Sequence, residues 1–303
     1  MKTYDTVVVG GRGAVGSLFA AMIAADGRSV TTIDPAAIDE TKQAGSAPGV
    51  THLTGDILEP DDAVRAVLQH CSTVVLAVPE SVAERVSFSH FTSAQLLVDT
   101  LSVKSGFAAK VDADAPPFEV LGVNPMFAPS LGMDGRPVAT VAYRRGPGVD
   151  GFLARITAWG GNVVEVDADT HDRLAAATQA LTHASVLAYG SAVAALDLDP
   201  ALLDAVAPPP ARTSLALLAR ISGGEPEVYW DVQAGNPYAA DARAALAQAV
   251  DTLDAVVASG SQAAFAHLMR QAATSVPDED AYRALCGRLF GIVRGQGPEG
   301  GRP

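Results

Sequence analysis

The chain has 303 residues, 49% of them hydrophobic, with a formal net charge of −13. That length suggests two domains or one large one, and the apolar content is ample for a substantial core. The acidic balance disfavours nucleic acid and anionic membranes as partners, and no apolar run is long enough to span a bilayer.

Met1–Asp5 runs straight into a strand with no basic or apolar leader pattern, so the chain reads as cytoplasmic. Its two cysteines, Cys71 and Cys286, lack metal-ligand spacing and read as ordinary thiols. The histidines are scattered, so no metal is expected. Only four lysines are present, Lys2, Lys42, Lys104 and Lys110, so a cationic site in the second half must use arginine or histidine.

Thr6–Val9 is a short β-branched run ended by Gly10-Gly11. A helical pattern follows to about Ala25, and Val30–Ile33 forms a second strand ending at Asp34-Pro35. Thr73–Val78, Leu96–Asp99, Val120–Val123, Val138–Tyr143 and Asn162–Val166 continue the strand signals. Alternation of strand and helix over residues 1–168 predicts an α/β domain with a doubly wound, Rossmann-type sheet.

From Asp169 onward the pattern is helical, over roughly 169–195, 211–222, 237–259, 261–274 and 279–294. Breaks fall at Pro208-Pro209-Pro210, Gly223-Gly224 and Asn236-Pro237. Many of these helices are Ala-rich and apolar on more than one face, which implies an all-α domain, 169–294, that dimerises. The Gly/Pro-rich tail 295–303 is expected to be disordered.

Gly11-Arg12-Gly13-Ala14-Val15-Gly16 is G-x-G-x-x-G, placed after a strand and at the start of a helix. Gly11 is expected to permit the tight turn, Gly13 to let backbone approach a pyrophosphate, and Gly16 to let helix pack on strand. The helix N-terminus then offers N–H groups to phosphate. Asp34, eighteen residues after Gly16, should accept hydrogen bonds from ribose hydroxyls and repel a 2′-phosphate, which favours NAD over NADP. Arg12 either touches the pyrophosphate or is solvated. Val78-Pro79 either borders the nicotinamide half or is an ordinary strand end.

Leu121–Pro129 reads L-G-V-N-P-M-F-A-P, and Val98–Lys104 reads V-D-T-L-S-V-K. The helix after 169 carries His171-Asp172 and then Gln179-Ala180-Leu181-Thr182-His183, with Arg212, Arg220 and Val228-Tyr229 downstream. These motifs, in this order and over nearly the whole chain, resemble the prephenate dehydrogenase family. The resemblance implies an oxidative decarboxylation of a dicarboxylate cyclohexadiene, with hydride passing from ring C4 to NAD. It also implies a homodimer.

By resemblance, Arg220 grips one substrate carboxylate, as a planar guanidinium can with two parallel hydrogen bonds. Arg212 is a second candidate, or a structural arginine. Gln179 and His183 stand i,i+4, on one helix face, and are assigned to the substrate side chain. Ser102 would bond the C4 substituent beside residue 124. Lys104 either orients the site or is solvated, and His171 caps its helix or packs near the domain junction.

The chain departs from the family at the position that matters most: Asn124 stands where the family carries a histidine. An amide oxygen is too weakly basic to take a proton at neutral pH. Oxidising an alcohol at C4 requires loss of its O–H proton, whereas a neutral amine becomes an iminium ion with no proton transfer in that step. Asn124 therefore favours 4-amino-4-deoxyprephenate as substrate over prephenate, with the carboxamide oxygen accepting a substrate N–H. The alternative within the family is a prephenate or arogenate dehydrogenase that recruits another base such as His183. β-Hydroxyacid dehydrogenases rely on a lysine in the helical domain, and this chain has none after Lys110. A non-catalytic NAD-binding regulator is disfavoured by the retained Ser102, Lys104, Gln179, His183 and Arg220.

Overall fold

The structure is a computed structural model that describes residues 4–35 and 48–293. It divides into two compact units, Met1–Ala175 and Ala176–Pro303. The division falls inside a helical run begun at Ala168, seven residues beyond the change of pattern in the sequence. The tail 295–303 lies outside the described residues.

The first unit is built on β1 (Tyr4–Val9), α1 (Ala14–Ala25), β2 (Val30–Asp34), β3 (Val50–Thr54), α2 (Asp62–Gln69), β4 (Cys71–Leu76) and α3 (Glu80–Ala83). It continues through β5 (Leu96–Asp99), α4 (Ser105–Asp114), β6 (Glu119–Pro125), β7 (Pro137–Arg144), α5 (Pro147–Ala158), β8 (Asn162–Glu165) and α6 (Ala168–Ala175). The sheet order is β3-β2-β1-β4-β5-β6-β7-β8, parallel except where β6 meets β7. This is the doubly wound, Rossmann-type sheet that the strand–helix alternation predicts.

Both faces of the sheet are covered, which is why its central strands read as unbroken apolar runs rather than alternating ones. Val7, Val9, Val74 and Leu76 belong to one core cluster, with Phe88, Phe91, Phe107 and Phe118. Val8 and Val75, which point the other way, join Phe19, Phe152 and Ile156 in the second. β3 and α2 went unread in the sequence. β3 is only partly buried, so it lacks the apolar run that marks the inner strands. α2 is capped by Asp61, whose carboxylate accepts the Val64 N–H.

The second unit is helical. A π-helical turn (Ala176–Ala180) leads into α7 (Leu181–Ala195), followed by α8 (Pro200–Val206), α9 (Pro209–Ser222) and α10 (Pro226–Trp230). A second π-turn (Asp231–Gly235) precedes α11 (Ala239–Ala258), α12 (Gln262–Ala273) and α13 (Glu279–Ile292). α8, α9 and α10 each start on a proline in the first turn, where its missing N–H costs nothing. The single helix expected over 169–195 is thus interrupted by the first π-turn. The two π-turns are tied together: Gln233 Nε2 donates to Ala180 O at 2.7 Å, and Ala180, Val232 and Ala239 form a small buried cluster. Val250, Val257, Met269 and Ile292, on α11 to α13, are exposed. Among the described residues no single helix is long and apolar enough to cross a membrane.

Candidate active site

β1 has β2 on one side and β4 on the other, so the crossover direction reverses at its C-terminal end. Ligands of open α/β sheets bind at that point, outside the carboxyl ends of the strands. The loop there corrects the expected glycine roles. Gly10, not Gly11, takes the positive φ of +78°, and a Cβ on it would lie 2.0 Å from Ala77 O. Gly11 is needed for closeness instead, since its Cβ would meet the Thr32 side chain at 2.4 Å. A Cβ on Gly16 would strike Gly10 O at 2.1 Å, so α1 packs directly on the turn. Gly13 is exposed, and a Cβ there would touch only Gly10 O. This cradle of backbone at a helix N-terminus fits a pyrophosphate.

Asp34 ends β2 and accepts the Arg12 N–H at 2.8 Å, which ties the acid to the loop it is meant to serve with. Burial raises its carboxyl above the ordinary value, against the opposing pull of Arg12 and His52. Thr32, one strand position from Ile33, bonds His52 Nδ1 at 2.6 Å. Val78 and Pro79 follow β4, and Glu80, next in sequence, receives the N–H groups of Ser102 and Val103 at 2.9 and 3.2 Å. Glu80, which sequence reasoning passed over, therefore sets the backbone that carries Ser102 beyond β5. It is the first residue of α3, which follows the neighbouring strand, β4.

Asn124 lies near the end of β6 and is 3% exposed. Its Nδ2 is 3.1 Å from His171 Nε2 on α6, and His171 Nδ1 is 2.8 Å from Asp172 Oδ1. His171 is thus neither a cap nor a packing residue but the partner of the site's central amide. The adjacent His-Asp pair was the sequence signal for it. Asp172 also receives the N–H groups of Lys104 and Ser105, at 2.8 and 2.9 Å, and the Ser105 hydroxyl at 2.5 Å. It so closes the N-terminus of α4 from another helix. Burial works to raise the Asp172 carboxyl, but these donors outweigh it and hold the group below the usual carboxylate value.

Lys104 requires a correction. It is fully buried, with Nζ 2.5 Å from Asp99 Oδ1 and 3.3 Å from Val123 O. An ammonium so enclosed is an internal counter-ion and does not face a ligand. Burial, followed by the nearby Asp99 charge, pushes the Tyr143 phenol well above its ordinary value.

In the second unit, Gln179 belongs to the first π-turn and His183 to the first turn of α7. Gln179 Oε1 and His183 Nδ1 are buried without a hydrogen-bond partner. Such atoms call for an outside donor or acceptor. The Tyr229 ring stacks edge-on against His183 at 4.9 Å, in space left by Gly224, whose Cβ would come within 2.6 Å of that ring. Burial, and then the Arg220 charge, hold the His183 imidazole below its usual value. Arg220 itself is exposed.

Arg212 is corrected to the structural alternative: it pairs with the Asp204 carboxylate at 2.9 Å and donates to the carbonyls of Asp204 and Ala207. Among the described residues no cluster of His, Cys, Asp or Glu is placed to hold a metal.

A family model described as prephenate dehydrogenase, dimerization domain, matches residues 167–271. The chain is 44% identical over 288 residues to a 4-amino-4-deoxyprephenate dehydrogenase of Streptomyces pristinaespiralis, across 94% of this chain and 95% of that protein. It is 30% identical over 230 residues to the T-protein of Enterobacter agglomerans, across 75% of this chain and 55% of that protein. Among solved structures, the prephenate dehydrogenase from A. aeolicus in complex with hydroxyphenyl propionate and NAD+ aligns with a TM-score of 0.68 at 15% identity, covering 91% of this chain and 98% of that one. Synechocystis arogenate dehydrogenase aligns with a TM-score of 0.60 at 18% identity, covering 92% and 99%. Those two likenesses are likenesses of fold, while the full-length sequence similarity goes further: the chain belongs to the prephenate dehydrogenase family.

Proposed function

We propose that this chain catalyses the NAD-dependent oxidative decarboxylation of 4-amino-4-deoxyprephenate to 4-aminophenylpyruvate. The overall change converts the neutral amine and NAD+ to the aromatic amine, CO2 and NADH, with the ring C4–H leaving as hydride and the ring carboxylate as CO2. The observation that carries this reading is Asn124: the buried end of β6 presents an amide where the family places its base. The Streptomyces relative, similar over almost its whole length, supports the same substrate.

NAD would be held by the Gly11–Gly16 loop, Asp34 and the Val78-Pro79 strand end, and supplies the hydride acceptor when bound. The chain's own residues then orient and stabilise. Asn124 Oδ1 accepts an N–H of the C4 amine, aligning the nitrogen lone pair with the departing C–H bond. As C4 loses electron density the nitrogen supplies it, so no base need act in that step. Ser102 bonds the same substituent. Arg220, Gln179 and His183 are assigned to the carboxylates and the side-chain carbonyl, a reading supported by the two unpartnered buried atoms of Gln179 and His183.

We place the reaction in the cytoplasm, supported by Cys71 and Cys286 being free thiols. We assign it to a homodimer, supported by the dimerization-domain match and the exposed apolar side chains on α11 to α13. The test is NADH formation with each substrate. A preference in kcat/KM of roughly 100-fold or more for the amine is expected, given what a general base contributes to alcohol oxidation. A preference for prephenate overturns the proposal.

A further inference from the structure

We propose that His171, oriented by Asp172, is a positioning residue that fixes which end of the Asn124 carboxamide meets the substrate. The inference rests on the proposed amine substrate.

A carboxamide has nearly equal ends, one donating and one accepting, and either could turn outward. Its environment must choose. Asp172 is surrounded by donors: His171 Nδ1 at 2.8 Å, Lys104 N at 2.8 Å, Ser105 N at 2.9 Å and Ser105 Oγ at 2.5 Å. A carboxylate in that setting only accepts, so Nδ1 carries a proton, and a ring with a single proton leaves Nε2 with its lone pair. Asn124, 3.1 Å from that lone pair, must answer with its NH2 group. The oxygen is thereby turned away from His171, as an acceptor for the amine. Reversal would place two lone pairs against each other in a buried site, since Asn124 and His171 are 3% and 2% exposed.

The anchor of this chain is the start of α4. Among these donors to Asp172 are the Lys104 and Ser105 N–H groups, which that helix cannot satisfy within itself. The polarity of residue 124 is thus set by groups on β6, α4 and α6.

Two isosteric changes separate positioning from mere structure. His171→Asn keeps an N–H where Nδ1 meets Asp172 but removes the acceptor from Asn124. His171→Gln places an oxygen where Nε2 stood but gives up the bond to Asp172. On the purified full chain with the amine and NAD, His171→Asn is expected to lower kcat about 10- to 100-fold, the loss of an oriented buried hydrogen bond, with the Tm and the KM for NAD held. His171→Gln is expected to lower kcat less than His171→Asn does, because one of the two orientations of its amide restores the acceptor, while lowering the Tm, because the lost bond is to a charged group. The reverse pattern, or equal losses of kcat in both, overturns the inference. A second readout needs no turnover. Long-range 1H–15N NMR of the wild-type chain, with the His171 signal identified by its disappearance in His171→Gln, is expected to show Nδ1–H and a bare Nε2. An Nε2–H tautomer overturns the inference. If the wild type ignores the amine, it is the proposed substrate that fails, and the tautomer is still decided.

Discussion

Lys104 Nζ lies 2.5 Å from Asp99 Oδ1, and neither side chain is exposed to solvent. Removing one member of such a pair leaves an uncompensated buried charge. Lys104→Met is therefore expected to destabilise the fold by about 3–5 kcal/mol, and the double change Asp99→Leu with Lys104→Met by distinctly less. Urea unfolding of both variants checks this. Equal losses would mean that packing, not charge pairing, dominates at this position.

Restoring an imidazole at residue 124 tests the role of the missing base. Asn124→His is expected to raise kcat/KM for prephenate, with a ceiling of about 100- to 10,000-fold. The added ring would donate N–H to His171 Nε2 and keep its other nitrogen for the substrate hydroxyl. The gain should therefore shrink in Asn124→His with His171→Asn. A properly folded Asn124→His with no gain on prephenate would remove the role assigned to Asn124.

Asp34 accepts the Arg12 N–H at the glycine loop, and its proposed role is to bind the ribose hydroxyls and repel a 2′-phosphate. Asp34→Ser removes that charge and leaves Arg12 nearby. The ratio of kcat/KM for NADP to that for NAD is expected to rise by about tenfold or more, as follows from losing a charged hydrogen bond on one side and a repulsion on the other. Steady-state kinetics with both cofactors decides it, and an unchanged ratio would refute the assignment.

Arg220 and Arg212 should separate cleanly. Arg220→Lys keeps the charge but not the parallel pair of bonds, so KM for the substrate is expected to rise with little change in Tm. Arg212→Ala breaks the ties to Asp204 and Ala207 and is expected to cost about 1–3 kcal/mol of stability, with KM unchanged in the folded protein. A raised KM in Arg212→Ala would return that residue to the substrate.

His183 carries a pH signature. Burial first, and then Arg220, depress its affinity for a proton in the folded chain. The unfolded chain then binds more protons at mildly acid pH, so this group's contribution is complete above the ordinary imidazole value of about 6.5 and is lost as pH falls from there through the lower folded value. An NMR titration of His183 should move upward in Arg220→Gln. No movement would mean that the two side chains do not sense each other.

The sheet was legible because each inner strand is buried on both faces and so spells an apolar run, as in Val7–Val9 and Val74–Leu76. β3, half-exposed, carried no such run, and the π-turn at Ala176–Ala180 has no residue type that announces it. In the site, the positions of the glycine loop and Asp34 could be marked from residue type and spacing, while Asn124 stood out only against the family's motif. His171 and Lys104 could be read only in part: the adjacent Asp172 marks His171 but not its partner Asn124, 47 residues away, and nothing in the sequence announces that Lys104 is enclosed with Asp99 and Val123 O.

An acceptor at His171 Nε2 serves an amide N–H and an imidazole N–H alike. Histidine and asparagine codons differ by one base. Residue 124 can therefore exchange a proton-taking side chain for a neutral one in a single mutational step, with its neighbour already in place for either. In a lineage of such enzymes, a new substrate requires no intermediate ancestor with a broken site.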